Sequence, residues 1–558
     1  MDDAARTDGP QMPPRRRRGL PRGRQIEPAD LDAVRALLAA RPISREYLIE
    51  NLHLIQDAHG FLSSGHLAAL AQLMQLSQTE VYEVASFYHH FDVVKENEVA
   101  PAAVTVRVCD SIVCSMKGAG ALAGHLKDQL GDKVRVVHAP CMGACDKAPV
   151  ASMRKKQFPN CKPDQVAAAI EAKDFGPDLP SYEDLAAYRK GGGYEVLTKL
   201  AGGTLSRDTV IGELEKAGLR GMGGAGFPTF RKWKFIENTP TPRAMVVNAD
   251  EGEPGTFKDR HLFSTSPHKV IEGMLIAATW IAAEDAYIYL RDEYPEIHAM
   301  LAREIDAVVA AKLNNNIRIH LRRGAGAYIC GEETSLLESL EGKRGLPRNR
   351  PPFPANSGAF GRPTLINNVE TLHWVSEILH NGSDWFIGEG RPKFYSVSGR
   401  VKKTGVVRAP AGVTAQQLID EFCGGMETGE TFKGYLPGGA SGGILPASMA
   451  DIALDFGKLE PYGCFAGSAA VVIFSQRDAI RDVAENLLHF FEDESCGQCT
   501  PCRLGCTKMI DLMKPQVWNA DLMQELSQTM RDASICGLGQ AAPNPVLSAL
   551  KYFEGETR

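Results

Sequence analysis

Residues 104–114 read Val-Thr-Val-Arg-Val-Cys-Asp-Ser-Ile-Val-Cys, and residues 134–145 read Val-Arg-Val-Val-His-Ala-Pro-Cys-Met-Gly-Ala-Cys. The alternation of Val104, Val106 and Val108 with polar residues predicts a strand. Cys109 and Cys114 follow it, spaced C-x4-C. The second stretch repeats the plan, with a strand at Val134–Val137 and then Cys141 and Cys145, spaced C-x3-C. A helical stretch over 118–130 joins the two. A strand at Val150–Met153 and a helix near 163–173 complete a compact α/β unit. Two loops presenting two thiolates each can close a four-sulfur centre. Such a centre suits an iron–sulfur cluster or structural zinc. Zinc knuckles favour C-x2-C, so this spacing points to [2Fe–2S].

Before this unit, residues 28–92 read as helical. Leu31, Val34, Leu37 and Leu38 share one face. Ser44 is placed to cap a helix carrying Leu48, Leu52 and Ile55, which Gly60 ends. Ser77 and Glu80 form a capping box ahead of Val81, Val84 and Phe87. Residues 1–27 have no periodicity and read as a disordered basic tail. After the unit, Pro177, Pro180 and Gly191–Gly193 mark a linker within 174–200. Helices and strands alternate from 200 to 390, with strands at Ala244–Val247, Ala286–Leu290 and Ile317–Leu321. Residues 393–475 are rich in Gly and β-formers, with one helix near 414–423. Residues 477–558 are mostly helical. There Cys496, Cys499 and Cys502 are spaced C-x2-C-x2-C, a strong [4Fe–4S] signal. Spacing leaves the fourth ligand open between Cys506 and Cys536.

Three glycine runs stand out. Gly221-Met222-Gly223-Gly224-Ala225-Gly226 fits G-x-G-x-x-G, but a helical stretch precedes it and Phe227-Pro228 follows. A dinucleotide-binding turn should instead leave a strand and open a helix. The run suits a backbone cradle for an anion. Gly324-Ala325-Gly326-Ala327-Tyr328 follows a strand and runs into Glu332 and Glu333 at a helix start, where carboxylates favour the dipole or line a pocket. Gly438–Gly443 reads as a flexible turn. Between the first two, Asn248 to Thr256 follows a strand directly. The carboxyl ends of strands are where α/β sheets place ligand contacts.

The chain has 558 residues, 44% hydrophobic and 23% charged, which fits several folded domains rather than disorder. The net charge of −6 argues against a nucleic-acid binder. The charge is uneven: residues 1–24 hold seven Arg and three Asp, leaving the remainder strongly acidic. Arg15–Arg18 are not followed by an apolar core of the signal-peptide kind. The apolar run 273–283 is too short to span a membrane. A cytoplasmic location is expected, where clustered Cys serve metal or redox chemistry rather than disulfides.

Taken together, GLRGMGGAGFPTFRKW at 218–233, NADEGEPGTFKDR at 248–260, GAGAYICGEETSLLESLEGKRGLPRNRPPFPA at 324–355, NNVET at 367–371 and SCGQCTPCR at 495–503 resemble the NADH-oxidising flavoprotein subunit of respiratory complex I and its relatives. Residues 30–175 are similar to its small [2Fe–2S] partner subunit, so the chain looks like a fusion of the two. The resemblance implies a multi-domain α/β and α fold. Its expected parts are a tail (1–27), a helical bundle (28–100), a thioredoxin-like [2Fe–2S] domain (101–175) and a linker (176–199). A Rossmann-like FMN/NAD domain (200–392), a small β-grasp-like domain (393–476) and a C-terminal helical [4Fe–4S] domain (477–558) follow.

The resemblance further implies FMN, NAD, one [2Fe–2S] and one [4Fe–4S] cluster. The FMN cradle would be Gly221, Gly223, Gly224, Lys232, Asn248, Asp250, Glu251, Tyr328, Gly331, Asn367 and Asn368. The nicotinamide would stack among Phe227, Phe235 and Phe353, with Glu253, Glu332, Glu333 and Arg350 nearby. Glu253, Glu333 and Phe227 are the expected catalytic residues. The carboxylates would repel a 2′-phosphate and favour NAD over NADP. Cys109, Cys114, Cys141 and Cys145 would hold [2Fe–2S]; Cys496, Cys499, Cys502 and Cys536 would hold [4Fe–4S]. Met222 departs from the Arg that many complex I members carry. The fused layout most resembles the diaphorase subunit of soluble NAD-dependent formate dehydrogenases, implying a Mo- or W-containing large subunit as partner. The alternative is the diaphorase of a bidirectional NiFe hydrogenase. A non-enzymatic alternative is a scaffold with zinc in both Cys sites.

Overall fold

The computed structural model describes residues 24–39 and 41–557. Most of the expected tail, 1–23, lies outside them. Arg24 is seated on the helical bundle, its N–H donating to Gln78 Oε1 at 3.0 Å. That bundle comprises helices Pro28–Leu38, Leu48–His59, Ser64–Met74 and Gln78–Phe87. The predicted capping box is formed: Ser77 Oγ accepts from Glu80 N and Glu80 Oε2 from Ser77 N, both at 3.1 Å. Gly60 ends the second helix at φ +83°. Ser44 does not cap that helix; it opens a 3₁₀ turn, Arg45–Tyr47, and Tyr47 occupies the cap position. Short strands β1 (Leu62–Ser63) and β2 (Val93–Val94) pair in parallel.

The thioredoxin-like unit has strands β3 (Val104–Cys109), β4 (Val134–Ala139), β5 (Ala151–Met153) and β6 (Lys156–Phe158), ordered β4-β3-β5-β6. The β3–β4 pair is parallel and the others are antiparallel. Helices Ala119–Leu130 and Pro163–Glu171 pack beside them.

The next sheet is wholly parallel: β7 (Arg243–Ala249), β8 (Ala283–Leu290), β9 (Arg318–Arg323) and β10 (Thr364–Asn368), ordered β10-β7-β8-β9. Six of the seven β7 residues are buried, as expected for a central strand covered on both faces. The apolar run at 273–283 fills the second half of the buried core helix Pro267–Trp280 and runs on to the start of β8. Gly273 lets it approach helix Val369–Asn381: a Cβ there would stand 2.0 Å from the Leu372 carbonyl oxygen. No described helix is long and apolar enough to cross a membrane.

One expectation fails here, and one strand was missed. The stretch 176–199, expected as a linker, carries helix Leu185–Lys190 and begins helix Glu195–Ala201. Tyr188, Tyr194, Val196 and Leu197 are buried in the core around the parallel sheet. Strand β10 was not anticipated; it delivers Asn367 and Asn368 to the carboxyl edge of that sheet.

A third sheet, β11 (Lys393–Gly399), β12 (Gly405–Ala409), β13 (Phe432–Leu436), β14 (Leu445–Pro446) and β15 (Ala470–Ser475), has the order β12-β11-β15-β13-β14. Only β11–β15 is parallel. The C-terminal part is helical: Ile480–Asp493, Thr500–Met513, Ala520–Ala533, Gly537–Ala541 and Asn544–Tyr552.

Candidate active site and thiol clusters

The carboxyl ends of the parallel strands hold most of the predicted site. The first glycine run is a closed loop between two helices, Arg207–Ala217 and Thr229–Glu237, with Gly221 N donating to Phe227 O at 2.8 Å. It is not a strand-to-helix turn, as its flanks predicted. It packs on β10: a Cβ on Gly223 would lie 3.1 Å from that of Asn368.

The predicted asparagines tie these loops together. Asn248 Nδ2 donates to Gly331 O at 2.8 Å while its Oδ1 accepts from Asp250 N at 3.2 Å. Asn368 caps helix Val369–Asn381 and donates to Asp259 Oδ2 at 2.6 Å. Asn367 Oδ1 accepts from Trp233 Nε1 at 3.0 Å. Asp259 is anchored by Lys258, a buried ammonium held between Asp259 (2.8 Å) and Glu370 (2.9 Å). Neither Lys258 nor Glu370 was singled out from sequence.

The carboxylates separate into distinct jobs. Glu251 turns to cap helix Lys258–Thr265, accepting from Asp259 N, Arg260 N and Tyr294 OH. Burial, with the Asp259 charge beside it, pushes its carboxyl up to about 7. Glu253 is buried, which raises its carboxyl; Tyr328 OH donates to one oxygen, and Ser441 N and Oγ donate to the other at 2.7 Å each. The run Gly438–Gly443, expected as a flexible turn, is therefore part of the site. At Gly439 (φ +86°) a Cβ would stand 2.6 Å from Glu253 Cγ, so glycine is required there. Glu332 caps helix Glu333–Leu340 with one oxygen and pairs with Arg350 through the other. Glu333 lies 3.1 Å from Lys232 and 3.3 Å from Arg350. Phe227 and Phe235 sit with ring centres 5.9 Å apart and are 43% and 61% exposed. Phe353 is 53% exposed on the segment that carries Arg350.

Whether these residues suit a flavin nucleotide is tested by Asp250. Its Oδ2 is buried without a hydrogen-bond partner, and burial pushes its carboxyl well up. The space beside it exists because Gly252 and Gly331 lack side chains; Cβ atoms there would stand 3.4 and 3.3 Å from Oδ2. A polyhydroxylated ligand such as FMN supplies the donor that Asp250 lacks. The residues fit.

The first four thiols converge from the end of β3 (Cys109), the short helix Ile112–Met116 that follows it (Cys114), and the segment after β4 (Cys141 and Cys145). Cys141 and Cys145 have sulfurs 3.3 Å apart, and the neighbouring Cys114 and Cys141 thiols push the Cys109 thiol well up. All four are buried. Their loops are clamped from outside: Asn486 Nδ2 donates to Asp110 O at 3.0 Å, and Thr404 Oγ1 to Asp146 O at 2.6 Å.

Cys496, Cys499, Cys502 and Cys536 line one cavity with Ser495, Ile329 and Leu538. Cys506 is not in that lining. It is fully buried one helical turn beyond Cys502. A hydrogen bond from Cys506 draws the Cys502 thiol down to about 7, while burial pushes Cys536 up to about 12.

Three family models match the chain. Residues 34–174 match the thioredoxin-like [2Fe-2S] ferredoxin, residues 214–377 the Nuo51 FMN-binding domain, and residues 482–558 the NADH-ubiquinone oxidoreductase-F iron-sulfur binding region. The second F-type subunit of the NADH-quinone oxidoreductase of Rhizobium meliloti (strain 1021) is 40% identical over 402 residues, covering 68% of this chain and 94% of the relative. The F-type subunit of the Aquifex aeolicus (strain VF5) NADH-quinone oxidoreductase is 39% identical over 400 residues, covering 68% and 91%. Among solved structures, a chain of an NAD+-reducing [NiFe]-hydrogenase in the H2-reduced state aligns over 92% of this chain and 93% of its own, at 31% identity and TM-score 0.81. The protein belongs to the family of F-type NADH-quinone oxidoreductase subunits, with a thioredoxin-like [2Fe–2S] domain on the same chain. The zinc-scaffold alternative is set aside, because both thiol sets fall inside regions matched by iron–sulfur families.

Proposed function

We propose that this member of the family is a diaphorase: it passes electrons between NAD(H) and single-electron acceptors through FMN and two iron–sulfur clusters. Bound FMN supplies the conversion between a two-electron hydride and single electrons. The observation that carries this reading is the adjacency of Tyr328 and Ile329. Tyr328 bonds Glu253 at the flavin site and rests on Phe490, with ring centres 4.9 Å apart; Ile329 lines the cavity of the second thiol set.

In this reading Phe227 and Phe235 orient the nicotinamide, and Asp250 and the glycine loops hold the flavin. Glu253, fixed by Tyr328 and Ser441, keeps a buried carboxyl against the cradle. Both Glu332 oxygens are committed, so selection against a 2′-phosphate rests mainly on Glu333, itself tempered by Lys232 and Arg350. Cys109, Cys114, Cys141 and Cys145 hold [2Fe–2S], and Cys496, Cys499, Cys502 and Cys536 hold [4Fe–4S].

The other half-reaction belongs to a partner subunit. One assignment, from the fused layout, is a Mo- or W-dependent formate dehydrogenase. The other, a NiFe hydrogenase, draws equal support from the likeness across 92% of the chain to an NAD+-reducing [NiFe]-hydrogenase chain. Metal analysis of the co-purifying large subunit decides: molybdenum or tungsten supports formate, nickel supports hydrogen. The diaphorase reading itself is tested by NADH-driven ferricyanide reduction on the purified chain. A protein that lacks flavin, or whose flavin NADH does not bleach, contradicts it.

A further inference from the structure

Arg291 directly follows β8 and is 5% exposed. Its Nη1 donates to the Glu251 carbonyl and its Nη2 to the Cys141 carbonyl, both at 2.6 Å. Nη2 and Nε also meet the Glu293 carboxylate at 2.8 and 3.2 Å, and the guanidinium lies 5.1 Å from the centre of the Tyr294 ring. One buried cation therefore bridges the flavin-side loop after β7 and the loop that carries Cys141 and Cys145. Its counter-charge comes from its own loop. Glu293 in turn lies 3.8 Å from His90 Nε2, while Asp292 pairs with His90 and Arg323.

We propose that Arg291 sets the reduction potential of the centre held by Cys109, Cys114, Cys141 and Cys145, with Glu293 as the counter-charge that tempers it. The proposal rests on the reading of those four thiols as [2Fe–2S] ligands. Taking up one electron makes such a cluster more negative by one charge. A guanidinium bonded to a ligand's own carbonyl, and buried where solvent screening is weak, stabilises that reduced form and raises the potential. Glu293 acts in the opposite sense. Arg291 is thus a positioning and tuning residue, acting through the cluster rather than on substrate.

The opposed signs make the test. The holoprotein, its Arg291→Met, Arg291→Lys and Glu293→Gln variants are titrated potentiometrically, with dithionite supplying the electron through mediators and the [2Fe–2S] signal read by electron paramagnetic resonance. The [4Fe–4S] midpoint serves as internal reference. The [2Fe–2S] midpoint is expected to fall in Arg291→Met, to rise in Glu293→Gln, and to lie between the wild type and the methionine variant in Arg291→Lys. A role in packing alone predicts no movement, or movement in one direction for all variants; either result overturns the proposal. Should Arg291→Met not load its cluster, the sign of the Glu293→Gln shift decides. Absence of a [2Fe–2S] signal from the wild type would instead contradict the ligand assignment.

Discussion

The two thiol sets differ in how they meet the rest of the molecule. Cys109, Cys114, Cys141 and Cys145 are buried between domains, clamped by Asn486 and Thr404 and bridged to the flavin-side loop by Arg291. In the other set, Cys496, Cys499 and Cys536 are partly exposed, and Ile535 beside the cavity is 39% exposed. Electron transfer to another subunit needs a centre close to the surface, whereas an enclosed centre can exchange electrons only with its neighbours. Under the proposed diaphorase reading, the enclosed set would be the electron store beside the flavin and the open set the exit to a partner.

The largest expected effect separates the two sets. Cys536→Ser should abolish the [4Fe–4S] signal and electron delivery to the partner. Cys141→Ser should remove the [2Fe–2S] signal yet leave most NADH:ferricyanide activity. Equal loss of both activities in the two variants would erase the distinction. Cys506→Ser should keep the [4Fe–4S] signal; losing it would make Cys506 the ligand.

Next comes the buried ion cluster behind the cradle. Lys258→Met leaves Asp259 and Glu370 unpaired in the interior and should cost about 3–5 kcal/mol, read by denaturant unfolding. A loss below about 1 kcal/mol would remove Lys258 from the framework of the site.

A pH effect belongs to the flavin side. Glu251 is raised from an ordinary carboxyl to about 7 by burial, and Asp250 and Glu253 are raised by the same cause. Their protonated forms are favoured on folding. The stability they lend is complete below the ordinary carboxyl range and is lost as pH rises through the folded values. Buried His53 and His298, held neutral, pull the other way between pH 5 and 6.5, so the Glu251 contribution is read as a difference. The thermal midpoint of Glu251→Gln should gain on that of the wild type from pH 5 to 7.5; a difference that stays constant or shrinks with pH would contradict this.

Glu333→Gln should raise NADPH use relative to NADH by roughly 3–10-fold in kcat/KM, the size of a partly screened charge contact. An unchanged ratio would exclude Glu333 from cofactor selection. Far from both thiol sets, Ser77→Ala should cost about 1 kcal/mol through its capping box, without altering either cluster signal.

Local signals carried much of this into the sequence. Alternation at Val104–Val108, the Ser77–Glu80 box and the spacing of the cysteines each report a structure made by neighbours in the chain. What stayed hidden depends on distant partners. Ser441 has a role only because β13 and its loop return to Glu253. Tyr188 and Tyr194 lie among glycines and prolines that read as a linker, yet their rings are buried against His268. Cys506 satisfies the local spacing better than Cys536, and only the return of the chain at 535–538 places Cys536 on the cavity wall. Arg291 bears no motif at all; its role comes from docking two domains against one side chain.

The most direct test is an anaerobic NADH titration of the purified chain, followed by absorbance and electron paramagnetic resonance, alongside metal and flavin analysis. The account predicts about six iron atoms and one FMN per chain, with NADH bleaching the flavin and reducing the [4Fe–4S] cluster in the same titration. Zinc in place of iron, or a flavin that NADH leaves oxidised, would contradict it.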